Sequence, residues 1–239
     1  MRLAGYGRTL IAVSNDLFSP FQNSRRTMKI HRSLAAGLLS IVLGLAPLGA
    51  ALAQSQSEDP PGRVGRLAEM SGTVSFHGAN ETQWEPASLN YPVIGGNSFW
   101  TEPRSHAAID VGASRIYLDS STELDVSNVD DQSFVASLAQ GAVYLRVSQG
   151  AGGDQYEIDT PRGAVHITQP GSYEVVAGDS DHPTTVMAFE GAAQIEGPGI
   201  NAVVDPQQAI YVSGQNPPQV NAGQAQPDDF IRFWLPLRS

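Results

Sequence analysis

Hydrophobic and polar residues alternate in short runs along most of this chain, between residues 63 and 213. The runs are rich in β-branched and aromatic residues, and Gly, Pro, Asn and Asp separate them, as is typical of strands joined by turns. No long segment of this region follows the helical period. The pattern predicts an all-β fold, an irregular sandwich or a stack of β-hairpins with about 12–14 short strands and a short C-terminal helix. We expect strands at Val64–Met70, Thr73–Phe76, Ala107–Val111, Arg115–Leu118, Glu123–Val126, Phe134–Leu138, Ala142–Val147, Tyr156–Ile158, Ala164–Ile167, Ser172–Val176, Thr184–Phe189, Ala192–Ile195, Ala202–Val204 and Ala209–Val212.

Four of these runs share a pattern of glycine, small residue, Val or Ala, polar residue and large apolar residue. They are Gly72–Phe76, Gly141–Leu145, Gly163–Ile167 and Gly191–Ile195. The third and fifth positions of a strand point to one face and the fourth to the other. Each copy is therefore expected to bury an apolar pair and to expose its polar residue, while the glycine leaves a turn with positive φ. The copies are unevenly spaced, which argues against a solenoid of fixed period.

The N-terminal segment has the order of a secretory signal peptide. A basic stretch containing Arg25 and Lys29 precedes the uncharged apolar run 34–46, and Ala51-Leu52-Ala53 follows Pro47. This order predicts export with cleavage after Ala53, so that residues 1–53 are the signal. A start at Met28 would give a signal of ordinary length and would place residues 1–27 before the protein. The alternative is a membrane anchor that is never cut, although the apolar run is short for a span of about 20 residues.

Removal of this signal would leave a strongly acidic protein. Eight of the 14 basic and 23 of the 24 acidic residues follow Ala53, a net charge of −15 with neutral histidines. Such a surface repels phosphate backbones, so we expect no nucleic-acid partner. The chain has no cysteine, which excludes disulfides, thiolate metal ligands and cysteine nucleophiles.

The segments around the predicted β domain, residues 63–213, differ from it in composition. Residues 54–62 are polar and contain prolines, as expected of a disordered leader, and 214–239 begins as a linker rich in Pro and Gln. A short helix is predicted from the N-cap Asp228, with an apolar face that contains Phe230, Phe233, Trp234 and Leu237. This face is expected to dock on the protein's own sheet or, alternatively, on a partner or a membrane surface.

Three stretches of the β region together resemble a known family. The first is 65–74 (GRLAEMSGTV), the second runs from 96 to 119 and continues at 138–144 (LAQGAVY), and the third is 156–165 (YEIDTPRGAV) with 171–175 and 190–193. In this order they are similar to the FecR-like periplasmic domain, the extracytoplasmic β domain of iron-citrate-type regulators. The resemblance implies an exported β domain that binds another molecule. Anti-sigma members carry a cytoplasmic helical domain before a membrane span, and residues 1–33 are too few for it, so we do not expect the sigma-regulating activity.

The residues that could carry chemistry form no catalytic motif in the sequence. The histidines after the signal occur outside H-x-H and H-E-x-x-H, and the chain contains neither a G-x-S-x-G elbow nor a phosphate-binding glycine loop before a helix. The stretch 179–183 (DSDHP) could offer oxygen ligands to calcium, or it is an ordinary polar hairpin turn. A metal site assembled across strands is a further alternative. We expect no catalytic, cofactor or metal residues and no cofactor.

Five aromatic residues are the candidates for binding a partner. Trp84, Tyr91 and Trp100 lie in the stretch 80–104, which is rich in Gly and Pro, and Phe230 and Trp234 lie in the predicted helix. Exposed aromatics on a shaped loop can bind a hydrophobic segment or a sugar. The alternative is that Trp84 and Trp100 close the end of the β core.

These observations together predict an exported, non-catalytic FecR-like module, periplasmic or secreted, in a Gram-negative bacterium. It would bind an envelope protein or polymer, with a role in envelope sensing or signalling, and no membrane span would remain after signal cleavage. Two alternatives stay open: an enzyme that acts on envelope carbohydrate through scattered Asp and Glu residues, and a membrane-tethered regulator. The sequence does not indicate an oligomeric state.

Overall fold

The structure, a computed structural model, describes residues 63–148, 155–214 and 216–234. The predicted signal and leader, and Leu237 of the predicted helical face, lie outside the described residues. Within the described part, no helix is long and apolar enough to cross a membrane.

The described chain forms 18 β-strands and one helix, so the predicted all-β class is confirmed. The elements are β1 (Gly65–Ser71), β2 (Val74–His77), β3 (Glu85–Pro86), β4 (Pro92–Val93), β5 (Ser98–Thr101), β6 (His106–Val111), β7 (Ser114–Leu118), β8 (Glu123–Val129), β9 (Ser133–Gln140), β10 (Ala142–Val147), β11 (Gln155–Thr160), β12 (Gly163–Ile167), β13 (Gly171–Val176), β14 (Thr184–Glu190), β15 (Ala193–Gly197), β16 (Ile200–Val204), β17 (Gln208–Ser213), β18 (Gln219–Gln224) and α1 (Asp229–Trp234).

The strands form two nine-stranded sheets. Sheet A has the order β18-β17-β14-β13-β10-β7-β6-β1-β4, and sheet B has the order β16-β15-β12-β11-β9-β8-β5-β2-β3. From β6 onwards the chain mostly places one hairpin in one sheet and the next hairpin in the other. Only β10 crosses to sheet A as a single strand, and β9 and β11 therefore become parallel neighbours in sheet B. The other pairings of the described strands are antiparallel, as expected of a stack of hairpins.

The main core lies between the two sheets and contains the inward-facing residues of nearly every strand. Phe99 of β5, Phe134 of β9 and Tyr173 of β13 are among its largest fully buried side chains. Burying apolar area at about 25 cal/mol per Å² is the main term that stabilises such a fold. Since the chain has no disulfide, this packing carries the stability.

The four repeated patterns fold largely as predicted. Their third positions are buried in the core, and the fifth position is buried in three copies and partly buried at Phe76. Three of the four glycines have positive φ, whereas Gly163 does not; a Cβ there would lie 2.5 Å from the carbonyl oxygen of Glu196. The residue at the fourth position of each pattern was expected to be exposed. This expectation is wrong for Tyr144, which is 3% exposed, because the C-terminal segment covers that face of sheet A.

All 14 predicted strands occur in the structure, with ends that differ by a few residues, and four further strands appear. Three of these, β3, β4 and β5, lie within 80–104, and β18 lies where a linker was expected. The side chains of β18 are almost all exposed, so its sequence lacks the alternation that marks a half-buried strand. Its place comes from backbone pairing with β17.

The helix α1 begins after the predicted N-cap. The backbone N–H of Ile231 donates to Oδ1 of Asp228 over 2.9 Å. Phe230 and Ile231 are buried against Ala108, Tyr117 and Tyr144, on the outer face of sheet A. The described part of the helix therefore docks on the protein's own sheet, the first of the two alternatives.

Candidate functional site

An open cleft of about 350 Å³ lies on the outer face of sheet B. It is lined by Ser75, Trp84, Trp100, Glu102, Glu123 and Gln140. Two of the five predicted binding residues, Trp84 and Trp100, therefore line one site, which we call the Trp84–Trp100 cleft. Trp84 is 39% exposed, so it does not close the end of the core.

Strand register builds the floor of this cleft. Trp100 pairs with Ser75 of β2 on one side and with Glu123 of β8 on the other, and Glu123 in turn pairs with Gln140 of β9. Directly paired residues of antiparallel strands have Cβ atoms about 5 Å apart. These paired residues form a row across four strands, and within it the carboxylate of Glu123 lies beside the indole ring of Trp100.

The alternation of β5 adds the second carboxylate. Phe99 and Thr101 are fully buried on the inner side of β5, so Trp100 and Glu102 project from the outer side. Glu102 lies just after the end of β5. Two carboxylates and two indoles thus line one small site on a stable sheet.

Trp84 comes from the loop before β3 and is held by a neighbouring ring. His77, the last residue of β2, packs edge-on against Trp84 with ring centroids 4.6 Å apart. The imidazole Nδ1 of His77 lies 3.1 Å from the carbonyl oxygen of Gly78. The loop tryptophan is therefore supported by the same strand that provides Ser75.

The other three predicted binding residues lie elsewhere. Tyr91 is half-buried and packs on Phe76 with ring centroids 4.2 Å apart, so it contributes to the edge of the core. Phe230 is a residue of α1 that is 5% exposed and packs on sheet A, and Trp234 is the last residue of that helix. The structure does not bring Tyr91 or Phe230 to the cleft.

Sequence reasoning missed Glu102, Glu123 and Gln140 as members of the site. The spacing Trp100-x-Glu102 carried a usable signal, because alternate residues of a strand share a face. Nothing local could place Glu123 and Gln140, since their positions depend on which strands pair and in what register.

A second acidic group lies under the C-terminal segment, on the outer face of sheet A. Glu174 of β13 is fully buried, and among the described residues no hydrogen-bond donor reaches either of its carboxyl oxygens. Burial, as the largest cause, together with the neighbouring carboxylates of Asp228 and Asp119, raises the pKa of Glu174 to about 9. The acid is therefore neutral at pH 7, and in this form it can donate a hydrogen bond to Asp228.

The stretch 179–183 folds as a polar turn. Oδ1 of Asp179 accepts hydrogen bonds from the backbone N–H groups of Asp181 and His182, each over 2.8 Å. The side-chain hydrogen bond with His182 is the largest of the effects that lower the pKa of Asp179 to about 2. Among the residues that the structure describes, no group of three or more His, Asp or Glu side chains is arranged to hold a metal ion.

Fold and cleft together define a two-sheet β protein with an aromatic and acidic surface site. No family model matches the chain, and no curated protein matches it. Two crystal structures of a candidate anti-sigma factor from Parabacteroides distasonis, at 1.65 and 2.50 Å resolution, are similar to it with a TM-score of 0.49 and 16% identity. The similarity covers 58% of this chain and 64% and 63% of those chains, so it spans less than two thirds of their length.

Proposed function

We propose that this chain is a non-catalytic FecR-like module of the bacterial envelope that binds a protein or envelope component in the Trp84–Trp100 cleft. The cleft is the observation that carries this proposal. It combines exposed aromatic surface with polar groups on a rigid sheet, which is the usual composition of a small recognition site. The order of the three FecR-like stretches and the all-β fold support the family assignment.

Capture from envelope extract tests this proposal. The full chain is immobilised beside Trp84→Ala and Trp100→Ala variants, and the matched control is Val203→Ala, an exposed apolar residue of β16. We expect a retained component that both tryptophan variants lose and the control keeps. Equal retention by all four proteins would refute the role of the cleft.

Export belongs to the same proposal and has its own test. We propose cleavage after Ala53 and a periplasmic or secreted product. Intact-mass measurement of the protein recovered from its host should show a chain that begins at Gln54. A product that retains the apolar run 34–46 would instead support the membrane-tethered regulator.

One observation favours a second candidate, an enzyme that acts on envelope carbohydrate. Glu102 and Glu123 line the same cleft as the two tryptophans, and glycoside hydrolysis commonly uses a pair of carboxyl groups. Release of soluble fragments from peptidoglycan or polysaccharide by the wild type, abolished in Glu102→Gln, would establish this activity and overturn the non-catalytic proposal.

A further inference from the structure

We propose that the Trp84–Trp100 cleft binds an arginine side chain of a partner polypeptide, an inference that rests on the proposed function. The cleft volume of about 350 Å³ is at the small end of ligand sites, whose usual range is about 300–1,000 Å³. Such a site holds one side chain better than a long segment of polymer.

The two carboxylates of the cleft are available to a ligand. Among the described residues, neither Glu102 nor Glu123 forms an ion pair or a side-chain hydrogen bond. By contrast, two other partly buried carboxylates of the fold are paired: Asp110 contacts Arg66 and Arg115, and Asp119 contacts His106. The cleft therefore concentrates negative charge that the protein itself leaves uncompensated.

The indole rings select the kind of cation. The face of a tryptophan attracts a cation within about 6 Å of the ring. A guanidinium is planar, stacks on aromatic faces, and can donate two parallel hydrogen bonds to a carboxylate, whereas an ammonium is a compact and strongly hydrated charge. Trp100 with Glu123 directly beside it provides both kinds of contact in one place.

The overall charge also favours a basic partner over a neutral sugar. The chain after Ala53 has a net charge of −15 and contains no lysine, so long-range attraction would bring a basic polypeptide to this surface. Sugar hydroxyls can donate hydrogen bonds to the two carboxylates but leave both negative charges in place, whereas a guanidinium donates hydrogen bonds and also neutralises one of the charges. The observations therefore favour arginine over carbohydrate.

Titration with short peptides tests the inference. The probes are acetyl-Gly-Arg-Gly-amide and the same peptide with citrulline, which keeps the shape of arginine and removes its charge. The readout is the NMR signals of the indole N–H groups of Trp84 and Trp100, assigned with Trp→Phe variants. We expect saturable shifts of both signals with the arginine peptide and binding of the citrulline peptide that is weaker by about tenfold or more.

Variants in which Glu is replaced by the neutral Gln distinguish recognition in the cleft from the effect of the overall charge of the protein. The double variant Glu102→Gln with Glu123→Gln should bind the arginine peptide about tenfold or more weakly than the wild type does. The matched double variant Glu190→Gln with Glu196→Gln has the same net charge and changes exposed residues away from the cleft, and it should bind within about twofold of the wild type because exposed distant charges are screened.

Three results would overturn the inference: equal binding of the two peptides, equal weakening by the two double variants, or no response of the indole signals. Saturable shifts with N-acetylglucosamine oligomers in place of the peptide would mark the cleft as a sugar site. That outcome would overturn the arginine ligand but leave the proposed function standing, whereas retention of the envelope component by the tryptophan variants would remove the proposed function itself.

Discussion

Glu174 of β13 lies beside Asp228, the residue that caps α1, so two carboxyl groups meet beneath the C-terminal segment. Asp119, which is paired with His106, adds a third carboxyl group nearby, and burial raises its pKa as well. Glu174 also pairs directly with Tyr144 across the strands β10 and β13. The C-terminal segment is therefore docked over a neutral acid and an aromatic surface.

The first prediction concerns the pH dependence of this docking. The pKa of Glu174 is raised from 4.5 to about 9 in the folded protein, so the folded state binds its proton more tightly than the unfolded state does. The contribution to stability is complete below pH 4.5 and is lost as the pH rises towards 9. Glu174→Gln removes this titration, so its free energy of unfolding should exceed that of the wild type increasingly across this window, by up to about 3 kcal/mol at pH 7.

Urea unfolding between pH 4 and pH 9 measures this difference. Glu157→Gln, at a partly exposed residue of sheet B that lies 3.3 Å from His166, is the control and should not reproduce the trend. A wild type and a Glu174→Gln variant that lose stability in parallel with rising pH would contradict the neutral buried acid.

A second prediction concerns Phe230, which is buried against the outer face of sheet A and stacks with His106 at a centroid distance of 6.2 Å. Phe230→Ala should release α1 locally, because a short terminal helix can open without unfolding the sandwich. We expect the backbone amides of Ile231 and Arg232 to lose most of their protection in hydrogen exchange, while the core strands keep theirs. Arg232→Ala, an exposed change in the same helix, is the control, and unchanged protection in Phe230→Ala would contradict this docking.

A third prediction concerns Arg162, in the turn between β11 and β12. Its side chain is 9% exposed, and it donates to Oγ1 of Thr184 over 3.1 Å, to the carbonyl oxygen of Gly214 over 3.3 Å, and to the carbonyl oxygen of Asp179. These bonds join the turn of sheet B to strand ends of sheet A. Arg162→Lys keeps the positive charge but cannot make this set of hydrogen bonds. We therefore expect the free energy of unfolding to fall by about 2–4 kcal/mol.

Thermal unfolding measures this loss. Arg66→Lys is the matched control, because Arg66 makes exposed contacts with Asp110 and Asn90, and such pairs contribute about 0–1 kcal/mol. Equal effects of the two substitutions would show that Arg162 does not join the sheets.

A fourth prediction concerns Gly141, which precedes β10 with φ of 84°. A Cβ there would lie 2.6 Å from Cα of Thr122 and 2.8 Å from the carbonyl oxygen of Ser121. Gly141→Ala therefore combines a left-handed backbone with a clash against main-chain atoms, and we expect it to destabilise by more than about 2 kcal/mol.

Gly112→Ala is the comparison that isolates the clash. Gly112 has φ of 59°, and the three atoms nearest to a Cβ there belong to the flexible Arg63 side chain, the nearest at 3.3 Å. We expect Gly112→Ala to lower the free energy of unfolding by only about 1 kcal/mol, because the positive φ is then the sole source of strain. Similar denaturation midpoints for the two variants would contradict the packing of Gly141 on Thr122.

Much of the fold followed from local pattern. The alternation in runs such as 142–147 predicted strands because residues two apart share one face of a strand, and the N-cap at Asp228 came from side-chain chemistry alone. The strands β3, β4, β5 and β18 were missed because none of them alternates clearly: β3 and β4 have two residues each, β5 buries three of its four residues, and β18 is almost wholly exposed. At the candidate site, Trp84 and Trp100 were predicted, whereas Tyr91 and Phe230 were found packed on the two sheets.

By itself the sequence determined the all-β class, the inward face of each long strand and the residues that cap and turn the chain, since these depend on neighbours a few positions apart. Only the tertiary structure decided that Trp100 lies beside Glu123 and that Glu174 lies beneath α1. The physical reason is that backbone hydrogen bonds join any two strands equally well, so pairing and register are set by how the whole core packs. The alternating pattern thus predicts which face of a strand is exposed, and the packing of the sheets determines which residues meet on that face.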